Sequence, residues 1–296
     1  MDHMHTNSIT LAEKPVEIPG YRIVPPKNGC AVVFSSPHSG RYYPPDFVDL
    51  LKVPLIDLRR VEDAYVDLLM SSVSRHDAGL ISAVYPRSYV DLNRAPNELD
   101  ENMFQDGPRA PAGERSPRVE AGLGCIPRVA ASGDDIHARK LTRIEADDRL
   151  SRAYTPYHAA LDTWLNSLRH YLGHAVLVDC HSMPSVIGGR RIQADIILGN
   201  RHGKSCDEGL TRLIEDEFTR LGYRVLRNAP YAGGFLTERH GNPDNHVQAI
   251  QIEINRRLYL NEDSVRQTPS FHKLQSHLTR VARQITAWSA KKRPRH

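Results

Sequence analysis

Residues 175–181 read A-V-L-V-D-C-H, four apolar residues followed at once by ionisable ones. A second stretch of the same design, A-V-V-F at residues 31–34, runs directly into S-S-P-H-S-G. Short runs that are apolar throughout are typical of strands buried on both faces of a sheet. In open α/β sheets, ligands bind beyond the carboxyl ends of the strands. We therefore expect His38 and His181, one at each strand end, to lie close together.

Around these two runs, further β-type segments alternate with amphipathic helical stretches. This alternation predicts a single α/β domain with a central mixed β-sheet flanked by helices. More strands are expected at 194–198, 223–226 and 247–254, with a strand-turn-strand unit over 79–92. Helices are expected near 57–75, over 137–172 with an interruption at Pro156, and along the apolar faces of 210–221 and 271–288.

Bulk properties exclude several classes of protein. The chain has 296 residues, a formal net charge of +4 and acidic and basic residues mixed along its length, so no basic stripe predicts binding to nucleic acid. No apolar run approaches the ~20 residues of a membrane span, and the polar first ten residues do not resemble a secretory signal. We expect one domain over 21–290, a flexible N-terminal segment at 1–20 and a basic tail at 291–296. Nothing in the sequence indicates the oligomeric state.

Four cysteines, none in a C-x-x-C pair, are expected to be buried free thiols. Free thiols suit a cytoplasmic protein. A different kind of segment runs from 95 to 133, where five prolines and several glycines interrupt any periodicity. A long loop of this kind is often functional, for example a lid, and disorder is the alternative.

Asp63 is a third candidate for a site shared with His38 and His181, and it precedes the apolar positions of the first predicted helix. Two histidines and one carboxylate are a common ligand set for catalytic zinc, and Asp63 can supply that carboxylate. In the run V-Q-A-I-Q-I-E-I-N at 247–255, strand alternation places Glu253 on a polar face opposite three isoleucines. That face is either solvated or lines a pocket, and in a pocket Glu253 is the natural general base.

Residues 87–94 read R-S-Y-V-D-L-N-R and offer two arginines, Arg87 and Arg94, with Asn93 beside the second. Arginine binds carboxylates in a bidentate fork, although either side chain is equally typical of a surface. Asp91 is expected to brace one of these arginines, and Asp179 is expected to orient a ring nitrogen of His181. Three other histidines are not expected to act in the site. His240 and His246 are expected to be exposed, and His158, with Tyr157, is expected to pack within a helix.

Taken in chain order, the candidates are similar to the site residues of zinc carboxypeptidases. That resemblance implies a zinc site at His38, Asp63 and His181 and a carbonyl-polarising role for Arg87. It also implies a carboxylate clamp at Asn93 and Arg94 and a general base at Glu253. Carboxypeptidases carry their second ligand three residues after the first histidine, where this chain has Arg41. The carboxylate must then come from elsewhere, and the resemblance implies Asp63, with Glu62 as the reserve.

Nine motifs in one order, from about residue 33 to residue 263, resemble the N-formylglutamate amidohydrolase family, a relative of the zinc carboxypeptidases. The motifs are SPHSG (36–40), EDAYVD (62–67), RSYVDLNR (87–94), GLGCIPRV (122–129), YTPYHAAL (154–161), DCHSMPS (179–185), DIILGN (195–200), NAPYAGGF (228–235) and QIEINRRLYLNE (251–262).

The resemblance implies a phosphorylase/hydrolase-like, zinc carboxypeptidase-like fold and a metal-dependent amidohydrolase. Its substrate would be N-formyl-L-glutamate or another small carboxylate-bearing N-acyl amino acid, and its products would be formate and an amino acid. Iron, cobalt and manganese accept the same ligands as zinc. Two alternatives stay open: a related deacylase or carboxypeptidase with another substrate, and a metal-binding or regulatory protein without turnover.

Overall fold

A seven-stranded mixed sheet lies at the centre of the computed structural model, which describes residues 18–107 and 116–292. In chain order its strands are β1 (Tyr21–Val24), β2 (Val32–Ser36), β3 (Gly79–Ala83), β4 (Ala175–Met183), β7 (Ile196–Gly199), β8 (Val225–Arg227) and β9 (Val247–Asn255). Two small hairpins pair β5 (Val186–Ile187) with β6 (Arg190–Arg191) and β10 (Leu260–Asn261) with β11 (Arg266–Gln267).

The spatial order of the sheet is β1-β3-β2-β4-β9-β7-β8. Strands β3, β2, β4 and β9 are parallel, whereas β1 pairs antiparallel with β3 and β7 pairs antiparallel with β9. The longest pairing joins β4 to β9 over nine residues of each strand. The carboxyl ends of these four parallel strands, which lie in the middle of the strand order, therefore all point to the same side of the sheet.

Helices cover both faces of this sheet. They are α1 (Pro45–Val48), α2 (Leu55–Arg59), α3 (Val66–Leu69), α4 (Pro117–Glu120), α5 (Arg143–Arg149), α6 (Thr155–Leu172), α7 (Glu208–Arg220), α8 (Phe235–His240) and α9 (Phe271–Ala290). Residues of α3, α7 and α9 pack with the isoleucines of β9 in one core, and residues of α6 and α8 pack on the opposite face. The predicted α/β domain with a mixed central sheet flanked by helices is confirmed.

Side chains on the α6 side of β4 change character along the strand. Ala175 and Leu177 belong to the apolar core, and the next two residues on that face are Asp179 and His181. Strand β9 changes in the same way, with Ala249 in the core and then Gln251 and Glu253. The predicted alternation in β9 is thus confirmed, and its polar residues are buried.

Three predicted elements were wrong in extent. The helix expected near 57–75 is broken into α2, α3 and a 3₁₀ turn at Val73–His76. The break occurs because the Asp63 N–H donates to the carbonyl of His38 at 3.1 Å and Tyr65 takes a left-handed φ of 64°. The predicted second strand of 79–92 is a loop, since the Tyr89 N–H closes a turn onto the Pro86 carbonyl at 2.9 Å. Its apolar residues fill the core without pairing.

The helix expected from 137 begins at Arg143, where Thr142 and Glu145 form a capping box. Pro156 lies in the first turn of α6, directly after a π-helical segment at Leu150–Tyr154. A widened turn of this kind accommodates the missing proline N–H, so the helix continues through Pro156.

The proline-rich segment folds against the domain wherever it is described. It contains a 3₁₀ turn at Glu101–Met103 and α4, and Met103, Phe104 and Ile126 form a small core with Leu141. Most of the predicted N-terminal segment and basic tail, and residues 108–115, lie outside the described residues. All four cysteines are buried free thiols, as expected. Within 18–107 and 116–292, no helix has both the length and the apolar character needed to cross a membrane.

The burial of β9 gives a stability prediction. Ile252 is 2% exposed in the core beneath α9, so Ile252→Ala should lower the free energy of unfolding by about 2–5 kcal/mol and Ile252→Val by about 0.5–1.5 kcal/mol. Urea unfolding curves measure both. Leu226→Ala is the control, because Leu226 is 43% exposed on the edge strand β8. Equal losses at the two positions would contradict this account of the core.

Candidate active site

Two imidazoles and one carboxylate meet at the carboxyl edge of the sheet. His38 follows β2, and His181 lies near the end of the neighbouring β4, with the two ring centroids 4.8 Å apart. Asp63 comes from the break between α2 and α3. Gly40 packs against the backbone of residues 84–85, and a Cβ there would lie 2.0 Å from the Tyr85 carbonyl oxygen. The absence of a side chain lets the two loops that flank the site approach closely.

The facing atoms of these three residues form a small triangle. His181 Nδ1 lies 2.9 Å from Asp63 Oδ2, His38 Nδ1 lies 3.2 Å from the same oxygen, and the two Nδ1 atoms are 3.1 Å apart. All three residues are buried. Ligand atoms on a tetrahedral zinc ion at 2.0–2.1 Å would be separated by about 3.3 Å, close to these edges.

Carboxylates on the far side of each ring decide where its proton sits. His38 Nε2 lies 2.7 Å from Asp91 Oδ1, and His181 Nε2 lies 2.8 Å from Asp179 Oδ2. Each Nε2 therefore carries the hydrogen, and each Nδ1 directs a lone pair towards Asp63. Three electron-rich atoms converging in a buried space repel each other unless a cation lies between them. The donor set thus fits a divalent metal ion.

The second oxygen of Asp63 is held by two residues that sequence analysis did not identify. Ser182 donates its hydroxyl to Asp63 Oδ1 at 3.1 Å, and Arg256 Nη2 lies 3.3 Å from the same atom. Donor hydrogens from both residues thus reach the same oxygen, and the ion pair with Arg256 holds Asp63 as an anion. Ser182 and Arg256 could have been predicted as site residues from their positions in the sequence, because they lie at the carboxyl ends of β4 and β9.

The predicted base lies beside the second histidine. In the parallel register of β4 and β9, Glu253 is the partner of His181, so both side chains project from the same face. Gln251 donates to Glu253 Oε1 at 2.7 Å and accepts from the Gly234 N–H at 2.7 Å. Burial raises the pKa of Glu253 to about 7. A carboxyl group with this pKa can both accept and donate a proton near neutrality.

The arginine-rich loop contributes side chains to the same space. Arg87 donates to Asp91 Oδ2 at 2.7 Å, so the predicted brace is present. Arg94 donates to the carbonyls of Leu123 and Asn93 at 3.2 and 2.8 Å. Burial lowers the pKa of Arg94, and the positive charges of Arg87 and Arg118 act in the same direction although Asp91 opposes them. Arg94 is thus a guanidinium in a positively charged, partly buried setting.

Asn93 is fixed by protein partners at both ends of its amide. Its Oδ1 accepts from the Leu236 N–H at 2.8 Å, and its Nδ2 donates to Asp179 Oδ2 at 3.4 Å. Gly234 packs so closely that a Cβ there would lie 2.4 Å from Asn93 Nδ2. The amide therefore connects α8 to the aspartate that orients His181.

All seven sequence-predicted site residues line one cavity of about 430 Å³. This size suits a small molecule. Five other lining residues have polar side chains and were not predicted as site residues: Arg118, Ser182, Tyr231, Gln251 and Arg256.

The remaining candidates have other roles. Glu62 bonds with Tyr43 and Arg59 and stands outside the triangle. The expected exposure of His240 was wrong, because its side chain is 7% exposed and its Nδ1 lies 3.6 Å from Asp162. His246 is exposed, as expected. Tyr157 and His158 pack in the core as expected, and the Tyr157 hydroxyl also contacts Ser35 Oγ at 2.9 Å.

Comparison with known proteins gives a consistent result. A family model described as N-formylglutamate amidohydrolase matches residues 30–260. A crystal structure of N-formylglutamate amidohydrolase from Ralstonia eutropha JMP134 superposes with a TM-score of 0.87 and 33% identity, over 93% of this chain and 99% of that one.

Two curated relatives are both called N-formylglutamate deformylase. The protein from Pseudomonas aeruginosa is 27% identical over 71% of this chain and 78% of its own length. The protein from Pseudomonas putida is 28% identical over 62% of this chain and 65% of its own length.

The aspartate behind His181 gives a prediction for metal binding. Asp179→Asn keeps an acceptor for Ser35, which donates to Asp179 Oδ1 at 2.9 Å, but removes the charge that fixes the His181 proton. Affinity of the metal-stripped protein for Zn²⁺, measured by titration against a chelator, should fall roughly 10- to 100-fold. Asp162→Asn, which removes a partly exposed carboxylate elsewhere, is the control. If Asp179→Asn bound Zn²⁺ with unchanged affinity, Asp179 would not be the residue that orients His181 for metal binding.

Proposed function

Since the chain belongs to the N-formylglutamate amidohydrolase family, we propose that it hydrolyses N-formyl-L-glutamate, or a close N-acyl amino acid, to formate and the amino acid. One observation carries the proposal: the triangle of His38, Asp63 and His181 shares a cavity with a buried carboxyl group and with arginines. That combination offers a cation site, a proton acceptor and an anion site within one small space.

We assign His38, Asp63 and His181 as ligands of a divalent ion, and we assign the ion as zinc. Two histidines and one carboxylate leave a tetrahedral zinc ion one further position. When bound, such an ion supplies Lewis acidity, which makes a water molecule a nucleophile at neutral pH. The chain itself orients the ligands, through Asp91 and Asp179 behind the two rings.

Glu253 acts as general base and then as general acid. Its carboxylate accepts a proton from the water whose oxygen attacks the formyl carbon, and it later donates that proton to the leaving nitrogen as the C–N bond breaks. The raised pKa of about 7 and the hydrogen bond from Gln251 support both steps. The products are formate and a free amino group.

Arg87 stabilises the negative charge that develops on the former carbonyl oxygen. Its guanidinium lines the cavity and is held by Asp91, the same carboxylate that fixes the His38 proton. A donor fixed before the reaction needs little reorganisation when charge appears. Asp91 therefore couples the position of Arg87 to that of a metal ligand.

Arg94 binds a substrate carboxylate, and Asn93 positions the loop that carries it. The two bonds from Arg94 go to neutral carbonyl oxygens, so its positive charge is available to an anion. A carboxylate bound there would hold the substrate with its formyl amide directed towards Glu253 and the metal ligands.

Replacing the base separates catalysis from metal binding. Glu253→Gln should lower kcat by roughly 10²–10⁴-fold while zinc content stays the same. Glu238→Gln, at a side chain that is 60% exposed, is the matched control. Formate release by zinc-loaded protein measures turnover. In the parent protein, kcat/KM should fall with decreasing pH as Glu253 takes up its proton, and this limb should change in Glu253→Gln. A normal rate in that variant would reject Glu253 as the general base. If the parent protein bound zinc but released no formate, a non-catalytic metal-binding role would be favoured.

Removing the clamp tests the class of substrate. Arg94→Ala should lower kcat/KM for N-formyl-L-glutamate roughly 10- to 100-fold, chiefly through KM, because a charged hydrogen-bonded pair is lost. Neutral N-formyl amines should be poor substrates of both proteins and change little between them. If the parent cleaved neutral amines as well as N-formyl-L-glutamate, the carboxylate clamp would be refuted.

A further inference from the structure

The proline-rich segment brings one more arginine to the cavity. Arg118 lies in the short helix α4 and lines the cavity together with Arg94. The Leu123 N–H donates to the Arg118 carbonyl at 2.8 Å, and the Leu123 carbonyl accepts from Arg94 Nε at 3.2 Å. The backbone of Leu123 therefore links the Arg118 backbone to the Arg94 guanidinium.

The position of α4 is set by several contacts. Ser116 caps it by accepting from the Val119 N–H at 3.3 Å, and the Ser116 hydroxyl donates to Glu98 Oε1 at 3.2 Å. Val119 is 4% exposed. The Cys125 carbonyl accepts from the Asp91 N–H at 2.7 Å, which ties the segment to the loop of the active site. Arg118 therefore occupies a defined place at the cavity.

The arginines of the cavity differ in their partners. Arg87 pairs with Asp91 at 2.7 Å, and Arg256 pairs with Asp63 at 3.3 Å. Within residues 18–107 and 116–292, no carboxylate forms an ion pair with Arg94 or Arg118. Two guanidinium groups without carboxylate partners suit a ligand with two carboxylates, and the proposed substrate has two.

We propose that Arg118 binds the second carboxylate of the substrate, so that Arg94 and Arg118 together select N-acyl dicarboxylic amino acids over monocarboxylic ones. This inference rests on the proposed function. It gives the 95–133 segment a role in substrate specificity, because Arg118 would bind the side-chain carboxylate, which takes no part in the hydrolysis.

The test compares N-formyl-L-glutamate with N-formyl-L-glutamine, which has nearly the same shape but lacks the side-chain charge. In Arg118→Gln, kcat/KM for the glutamate compound should fall roughly 10- to 100-fold, while that for the glutamine compound changes less than about twofold. Arg118→Lys should retain an intermediate preference. Arg212→Gln, which removes the same charge from an exposed position on α7, should leave both values unchanged.

A direct binding measurement separates this inference from the proposed function. Calorimetry with glutarate and with butyrate needs no turnover, and Arg118→Gln should weaken binding of glutarate alone. Equal losses for both substrates, or no loss for either with glutarate binding unchanged, would overturn the role of Arg118. If the zinc-loaded parent released no formate from either substrate, the proposed hydrolysis would fail, whereas a selective loss of glutarate binding would still support the dicarboxylate site.

Discussion

The approach of two imidazole lone pairs to one carboxylate oxygen is the constraint on which the rest of this structure depends. His38, His181 and Asp63 place three electron-rich atoms within 3.2 Å of each other in a buried space. An uncompensated buried charge destabilises a protein by several kcal/mol, so such a cluster persists only where its surroundings hold it in place. Asp91 and Asp179 lie against the outer nitrogen of each ring, at 2.7 and 2.8 Å, and the donor set on the inner side fits a cation. Under the proposed function, folding and metal binding would be linked.

The sheet and the loops divide the work of building this site. The nine-residue pairing of β4 with β9 places Glu253 beside His181, so the distance between these two residues is set by strand spacing. Asp63 and Arg87 come from loops instead, and each loop is tied back to His38, which follows β2. The Asp63 N–H bonds to the His38 carbonyl, and Asp91 joins Arg87 to the His38 ring. His38 is therefore the point at which the loop-borne residues are brought into register with the strand-borne ones.

Features that depend on neighbouring residues were predictable from the sequence, and features that depend on distant ones were not. The alternation of β9 and the apolar strands before His38 and His181 are local patterns, and they placed the sheet and Glu253 correctly. The break in the helix near Asp63 arises from a hydrogen bond to His38, and no pattern around residue 63 contains that information. Likewise, the contact of Arg256 with Asp63 joins residues 193 positions apart. The loop at 84–92 resembled a strand in sequence because its apolar side chains are buried, whereas its backbone makes a turn.

The charges of the cavity are arranged from the inside outwards. The buried end contains the triangle of His38, Asp63 and His181 together with Glu253, and its arginines, Arg87 and Arg256, are already paired with aspartates. The more exposed wall carries Arg94 and Arg118, which bond to neutral groups or face the cavity. A ligand with a neutral amide at one end and negative charge at the other is stabilised in one orientation only, with the amide inward.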